Sequence, residues 1–248
     1  MVPGDEIISK KSIIFIVLTI ILCFVTLIIS ALYLLNDFCE YQDFSEDIED
    51  LKKEIIIEET ANSADTKIDF ESLKNINNDI IGWIKVGGTA IDYPILQSDN
   101  SYYLEHSYNK KYNANGSIFT FDNTLCQTPQ TIIYGHNRRN GLMFAELSKY
   151  MEKDFFEKHQ EFYIYTPDKT YKANIFSVYS INVFTEKSNT ESKDFNEQIE
   201  YYQSKSMYKV DTNNSIKKIV KLSTCSYLNT LKRPTDQRYY VIANIEEI

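Results

Sequence analysis

A long uncharged apolar run near the start of the chain constrains its architecture more than any other feature. The run extends from Ile13 to Leu35. As a helix rising about 1.5 Å per residue, it is long enough to cross a hydrocarbon layer of roughly 30 Å. A cleaved signal peptide has a shorter apolar region, about 7 to 15 residues, followed by small residues at the cleavage site. The sequence therefore predicts one uncleaved transmembrane helix at residues 13–35.

Charges beside this run predict its orientation and the organisation of the chain. Lys10 and Lys11 precede the run, and basic residues mark the cytoplasmic side of a membrane helix. We expect residues 1–12 in the cytoplasm and everything after the helix outside the cell. Residues 36–68 are acidic and then small and polar, as in a stalk or linker. The folded domain is expected at residues 69–248.

Size and charge limit what this domain can be. The 248-residue chain has room for one membrane segment and a single domain with a sizeable core. Its net charge of -9 comes from acidic residues dispersed along the chain. Because no basic stripe is present to bind phosphates, nucleic-acid binding is not expected.

Short runs rich in Ile, Val, Tyr and Phe predict about eight strands. IIGWIKV and TAIDYPIL flank Gly87 and Gly88, which tolerate the positive φ of a tight hairpin turn. The other runs lie at 117–121, 131–134, 161–166, 171–184, 218–224 and 238–245. We expect a mainly β fold, a closed or nearly closed eight-stranded barrel, preceded by the membrane helix.

Helical patterns lie between these strands and predict peripheral helices. Residues 143–159 carry apolar side chains at spacings of three and four, which favours one helical face. Residues 195–208 follow Asp194 as N-cap, with Glu197 positioned to complete a capping box. A shorter helix is expected after Asp69.

Two cysteines are candidates for chemistry in the domain, because Cys23 and Cys39 lie in or just after the membrane run. Cys225 ends the run IVKLSTC, where a strand end presents the thiol; the alternative is a small half-buried hydrophobe. Cys126 lies in a polar loop and is interpreted as non-catalytic. A bridge between Cys126 and Cys225 is possible, but free thiols are expected.

A cysteine nucleophile also needs a proton-transfer group and an oxyanion donor. His136 follows the strand TIIY in YGHN, so its imidazole is expected at a strand end, although a turn-bound histidine is the alternative. Arg238 opens the last strand, RYYVIANI, where its guanidinium can donate hydrogen bonds to a developing oxyanion. Arg233, five residues earlier, is not excluded by spacing.

These residues together resemble the sortase family, whose members share a TLxTC segment, a GH motif after a strand and an arginine opening a late strand. Here the counterparts are LSTC, YGHN and RYYVIANI. The segments DIIGWIKV, IDYPILQ, NSYYLEH, GSIFTFDN and GLMFAELSKY are similar to class B sortases in the same order. The helix-bearing stretch 185–211 also occupies the place of the class B insertion.

The resemblance implies a cysteine transpeptidase that needs no cofactor and no metal. It implies Cys225, His136 and Arg238 as catalytic residues, with Leu104, Ser223 and Thr224 contacting substrate. Cys225 would cleave a C-terminal sorting signal, NPQTN-like or LPxTG-like, after its threonine. The resulting thioester would pass to an amine of a lipid-linked peptidoglycan precursor, which anchors surface proteins to a Gram-positive cell wall. Polymerisation of pilins, hydrolysis by water and a non-enzymatic peptide-binding barrel remain alternatives.

Overall fold

The computed structural model describes residues 10–58, 63–212, 216–228 and 235–248. The chain forms two units, Met1–Glu49 and Asp50–Ile248. Helix α1 spans Lys10–Ile55, and the large apolar side chains of its first half are exposed. By length and composition this helix is able to cross a membrane.

Ten strands are described in the second unit, and the eight from β3 onward have boundaries close to those predicted. They are β1 (Ile56–Glu58), β2 (Lys67–Ile68), β3 (Ile80–Val86), β4 (Asp92–Gln97), β5 (Ile118–Thr120), β6 (Gln130–Tyr134), β7 (Glu161–Tyr165), β8 (Thr170–Asn182), β9 (Ile219–Cys225) and β10 (Gln237–Glu247). β1 and β2 form a small separate sheet, which the sequence did not predict.

The other eight strands close into a barrel, as the sequence predicted. Their order is β10-β8-β7-β3-β4-β5-β6-β9, with β9 returning to β10. Most neighbours are antiparallel, but β4 pairs with β5 and β6 pairs with β9 in parallel. The hairpin between β3 and β4 turns at Gly88, whose φ of 74° requires the left-handed region that glycine tolerates.

Helices lie around the barrel. They are α2 (Phe70–Ile76), α3 (Lys153–Lys158), α4 (Val183–Thr190) and α5 (Phe195–Lys205), together with 3-10 helices at Ser63–Asp65, Tyr102–Leu104 and Ala145–Met151. Asp69 caps α2 as expected, accepting from the Ser72 amide at 3.0 Å. The capping box of α5 is also confirmed, because Glu197 N donates to Asp194 Oδ1 at 2.9 Å and Asp194 N to Glu197 Oε2 at 3.0 Å.

One helical prediction and one strand prediction were wrong in detail. The single helix expected over 143–159 is a 3-10 helix followed by the short α3, because the chain turns at Glu152, whose φ and ψ are extended. Strand β8 ends at Asn182, whose side chain caps α4 by accepting from Phe184 N at 2.9 Å. Residues 183 and 184, predicted as strand, therefore begin a helix.

The first residues of the second unit pack into it. Leu51 and Ile55, at the end of α1, are buried, and the Ile55 carbonyl accepts from Asp69 N at 2.8 Å. Lys52 forms an ion pair with Asp92 of β4 at 3.2 Å. The folded unit therefore extends back to Asp50, before the expected domain start at residue 69.

The segment between β8 and β9 packs through α5. Ile199, Tyr201 and Tyr202 of this helix join a buried cluster with side chains of β8, β9 and β10. Ser177 on β8 donates to the Tyr202 carbonyl at 2.6 Å, which fixes the end of α5 on the sheet. This insertion therefore forms part of the wall beside β9, the strand that ends in Cys225.

Candidate active site

Cys225 and Arg238 face each other across two neighbouring strands. Cys225 is the last residue of β9, and Arg238 is the second residue of β10. The two are directly paired in the antiparallel register. Side chains of such pairs project on the same face with Cβ atoms about 5 Å apart. The barrel therefore places the Arg238 side chain beside the partly exposed Cys225.

His136 reaches the same end of the barrel from β6. Tyr134 of β6 pairs with Ser223 of β9 in the parallel register, so His136 and Cys225 each lie two residues beyond a paired position. Gly135 lies between, and a Cβ there would come within 2.9 Å of the Phe144 ring. The glycine before the histidine is therefore required by close packing.

Hydrogen bonds fix the histidine ring and its backbone. His136 Nε2 lies 2.8 Å from the Leu104 carbonyl, which can only accept, so Nε2 carries the proton. The neutral ring then has its unprotonated nitrogen at Nδ1. The His136 carbonyl accepts from Phe144 N at 2.9 Å.

Burial controls the protonation of His136. Removal of the ring from water lowers the pKa of His136, and the nearby Arg138 charge lowers it further. The Leu104 carbonyl and Glu105 act in the opposite direction without reversing this shift. The imidazole is therefore predominantly neutral at pH 7 and able to accept a proton from a thiol.

Arg238 is held by backbone carbonyls. Its Nη1 donates to Thr235 O at 2.6 Å and to Gln237 O at 2.9 Å. A guanidinium has five N–H donors, so these bonds orient the group without using all of them. Arg233, the alternative, lies outside the described residues, and the structure does not compare the two.

One cavity of about 610 Å³ joins the three side chains. His136, Cys225 and Arg238 all line it, together with the predicted substrate-contacting residues Leu104, Ser223 and Thr224. The Thr224 hydroxyl is buried and has no hydrogen-bond partner among the described residues.

The remaining candidates lie elsewhere. Neither His106, which stacks on Tyr102, nor His159, which packs on Phe155, lines this cavity. Cys126 is fully buried, and both it and Cys225 are free thiols. The expectation of unbridged cysteines is confirmed.

Three residues of the site were missed by the sequence analysis. Asn137 Nδ2 donates to the Cys225 carbonyl at 2.6 Å and ties the end of β6 to the end of β9. The sequence signal for Asn137 was its position directly after His136 in YGHN. Lys221 and Glu186 also line the cavity; the signal for Lys221 was a lysine within an otherwise apolar strand.

Comparison with known proteins agrees with this geometry. The family profile described as sortase domain matches residues 84–246. Sortase B of Listeria monocytogenes is 38% identical over 170 residues, covering 66% of this chain and 69% of the relative. Sortase B of Staphylococcus aureus is 32% identical over 231 residues, covering 88% and 93%. The chain belongs to the class B sortases.

The structural comparison extends this result. The solved structure of a Staphylococcus aureus sortase B-substrate complex matches with a TM-score of 0.64 and 33% identity, covering 73% of this chain and 85% of that chain. The eight-stranded barrel is thus the class B sortase fold. This sortase is accordingly a cysteine transpeptidase.

Proposed function

We propose that this sortase cleaves a C-terminal sorting signal after its threonine and transfers the new carboxyl end to an amine of a lipid-linked peptidoglycan precursor. The observation that carries the proposal is the register pairing of Cys225 with Arg238 beside His136, in one cavity. The substrate complex of the Staphylococcus aureus relative supports a substrate-binding role for this site. The substrate signal, NPQTN-like or LPxTG-like, is left to experiment.

The chemistry follows from the three side chains. Neutral His136 accepts the thiol proton, and the Cys225 sulfur attacks the threonine carbonyl, whose oxygen becomes negative. Free N–H groups of Arg238 donate to this oxyanion. The protonated His136 gives its proton to the departing amine, which leaves a thioester on Cys225. An incoming amine then loses a proton to His136 and displaces the sulfur as a new amide forms.

The N-terminal helix supports a position at the membrane surface. We assign residues 1–12 to the cytoplasm, 13–35 to the membrane and the barrel to the outside, because Lys10 and Lys11 precede the apolar run. Surface proteins held by their own hydrophobic tails, and a lipid-linked precursor, share that surface. Tethering raises the effective concentration of all three without added affinity.

Intact-mass spectrometry of the full-length protein in detergent tests the proposal. The protein is incubated with NPQTN-like and LPxTG-like peptides, without an acceptor, with a glycine amine, or with a peptide that carries a lysine side chain. We expect a thioester on Cys225 that the amine resolves, and its loss in His136→Ala. Resolution by water alone indicates a peptidase, and resolution only by a lysine side chain indicates pilin polymerisation. No adduct with any peptide contradicts the proposal.

A further inference from the structure

A second cavity lies directly beside the proposed catalytic residues. Its volume is about 350 Å³, and no described residue lines both it and the cavity that contains His136, Cys225 and Arg238. Asn137 and Tyr227 belong to its wall. Asn137 directly follows His136. Tyr227 is two residues after Cys225, so their Cα atoms are at most about 7 Å apart. The second cavity is therefore close enough to serve the same reaction.

The loop that follows β6 contributes two arginines to this wall. Arg138 and Arg139 both line the second cavity. The loop is fixed at both ends, because Asn137 Nδ2 donates to the Cys225 carbonyl at 2.6 Å and the backbone of Asn137 pairs with that of Met143. The two guanidiniums are therefore attached to a backbone that is held in place beside Cys225.

The positive charge of this wall is not neutralised by neighbouring carboxylates. Within the described part of the chain, neither guanidinium forms an ion pair, and the buried Nε of Arg138 has no hydrogen-bond partner. Glu146 also lines the cavity, but its Oε1 pairs with Lys149 at 2.6 Å and its Oε2 accepts from Ala90 N at 2.6 Å. The lining thus carries three positive charges and one negative charge, whereas the whole chain has a net charge of -9. Unused donors and excess positive charge favour an anionic ligand.

Arg138 also acts on the proposed base. Burial is the main cause of the lowered pKa of His136, and the charge of Arg138 lowers that pKa further. The proposed transfer requires His136 to take a proton from the incoming amine, which the guanidinium charge opposes. An anion bound to Arg138 offsets this charge. A cationic wall here is therefore disadvantageous for transfer unless an anion binds to it during the reaction.

The acceptor is the reactant that fits this position. The sorting peptide is proposed to bind in the cavity that contains Cys225, and its threonine becomes the acyl group of the thioester. The incoming amine must reach the same carbonyl from space that the peptide does not fill. The precursor named in the proposed function carries carboxylates on its peptide part and phosphates at its lipid end. Its anionic groups therefore match the charge of the second cavity.

We propose that the second cavity is an acceptor site, in which Arg138 and Arg139 bind a carboxylate or phosphate of the acceptor and hold its amine beside the thioester on Cys225. The amine attacks the thioester carbonyl, a C–N bond forms and the C–S bond breaks. The amine proton passes to His136 and then to the released sulfur. Binding of the anion raises the local concentration of the amine, so aminolysis prevails over hydrolysis. This site rests on the proposed transfer to an amine.

Partition of a preformed thioester between amines and water tests the acceptor site. The full-length protein in detergent is loaded with the sorting peptide that gives the thioester and is then mixed with paired amines. The pairs are glycine, β-alanine and 4-aminobutyrate, each against its amide, and O-phosphoethanolamine against ethanolamine. Per free amine, we expect wild type to favour the anionic member of at least one pair by roughly 10- to 100-fold. In the double variant Arg138→Gln, Arg139→Gln this ratio should fall to within about 3-fold.

Controls separate acceptor binding from folding and from overall charge. The double variant Lys153→Gln, Lys172→Gln removes two positive charges outside both cavities and should keep the wild-type ratio. An unchanged ratio in the folded arginine variant overturns the acceptor site, even if thioester formation falls. If circular dichroism shows that this variant does not fold, the single variant Arg139→Gln, at an exposed position, decides in the same way.

The pairs that respond identify the anionic group. A preference within the amino acid pairs alone indicates a carboxylate, and a preference within the phosphate pair alone indicates a phosphate. Equal rates within every pair in wild type overturn the acceptor site and leave the proposed transfer intact. Absence of any thioester in wild type contradicts the proposed function instead.

Discussion

The two cysteines of the folded unit lie at opposite ends of the same parallel strand pair, β6 and β9. Cys126 is at the end where these strands begin: its amide donates to Thr131 Oγ1 at 3.2 Å, and its carbonyl accepts from Lys218 Nζ at 3.2 Å. Cys225 is at the end where β9 finishes. Comparing the two residues therefore shows how the surroundings change the chemistry of the same side chain.

The surroundings give the two thiols different chemistry. Burial raises the pKa of Cys126 to about 12; Lys218 lowers it and Asp122 raises it by smaller amounts. That thiol is therefore almost entirely protonated at pH 7 and inert as a nucleophile. Cys225 is partly exposed and shares its cavity with His136 and Arg238. The thiol that lines this cavity is therefore expected to be the reactive one.

The largest expected difference is between the two single variants in which each cysteine is replaced by alanine. Cys225→Ala should lose the thioester and reduce peptide transfer by at least ~10⁴-fold, because no other group provides the nucleophile. Cys126→Ala should keep transfer within about 3-fold of wild type, since Cys126 is buried and does not line the cavity. Mass spectrometry and a quenched-peptide assay measure both. Equal losses of peptide transfer in the two variants would show that the two thiols do not differ in function.

Arg238→Ala is expected to have the next largest effect. Loss of an oxyanion donor typically costs about 10²- to 10³-fold in kcat. Arg238→Lys should recover only part of the rate, because an ammonium does not reproduce the planar guanidinium held by two carbonyls. Initial rates with one peptide measure the effect, and Arg233→Ala is the matched control. A larger defect in Arg233→Ala would falsify the assignment of Arg238.

The sequence predicted most of the site because its signals are local. A run such as IVKLSTC indicates both a strand and the residue at its end, and YGHN does the same for His136. Their meeting depends on strand register, which is a long-range property; only the family resemblance predicted it. Glu186 lies in the polar stretch VFTEKSNT, which carries no helical stripe. Its pairing with Lys221 is set by how α4 docks.

The smallest expected effect is a pH dependence of the free energy of unfolding that arises from His136. The lowered pKa of His136 means that the unfolded chain binds more protons near pH 6. The free energy of unfolding should therefore fall as pH decreases below about 6.5, by about 1.4 kcal/mol for each unit by which the pKa is lowered. His136→Gln removes this dependence, and urea unfolding at pH 7.5 and pH 5 measures it. Cys126→Ala provides the contrast. The Cys126 thiol of wild type stays protonated from pH 5 to pH 7.5. The difference in free energy of unfolding between this variant and wild type should therefore be the same at both pH values. If the free energy of unfolding changed with pH equally in His136→Gln and Cys126→Ala, the pH dependence would not arise from His136.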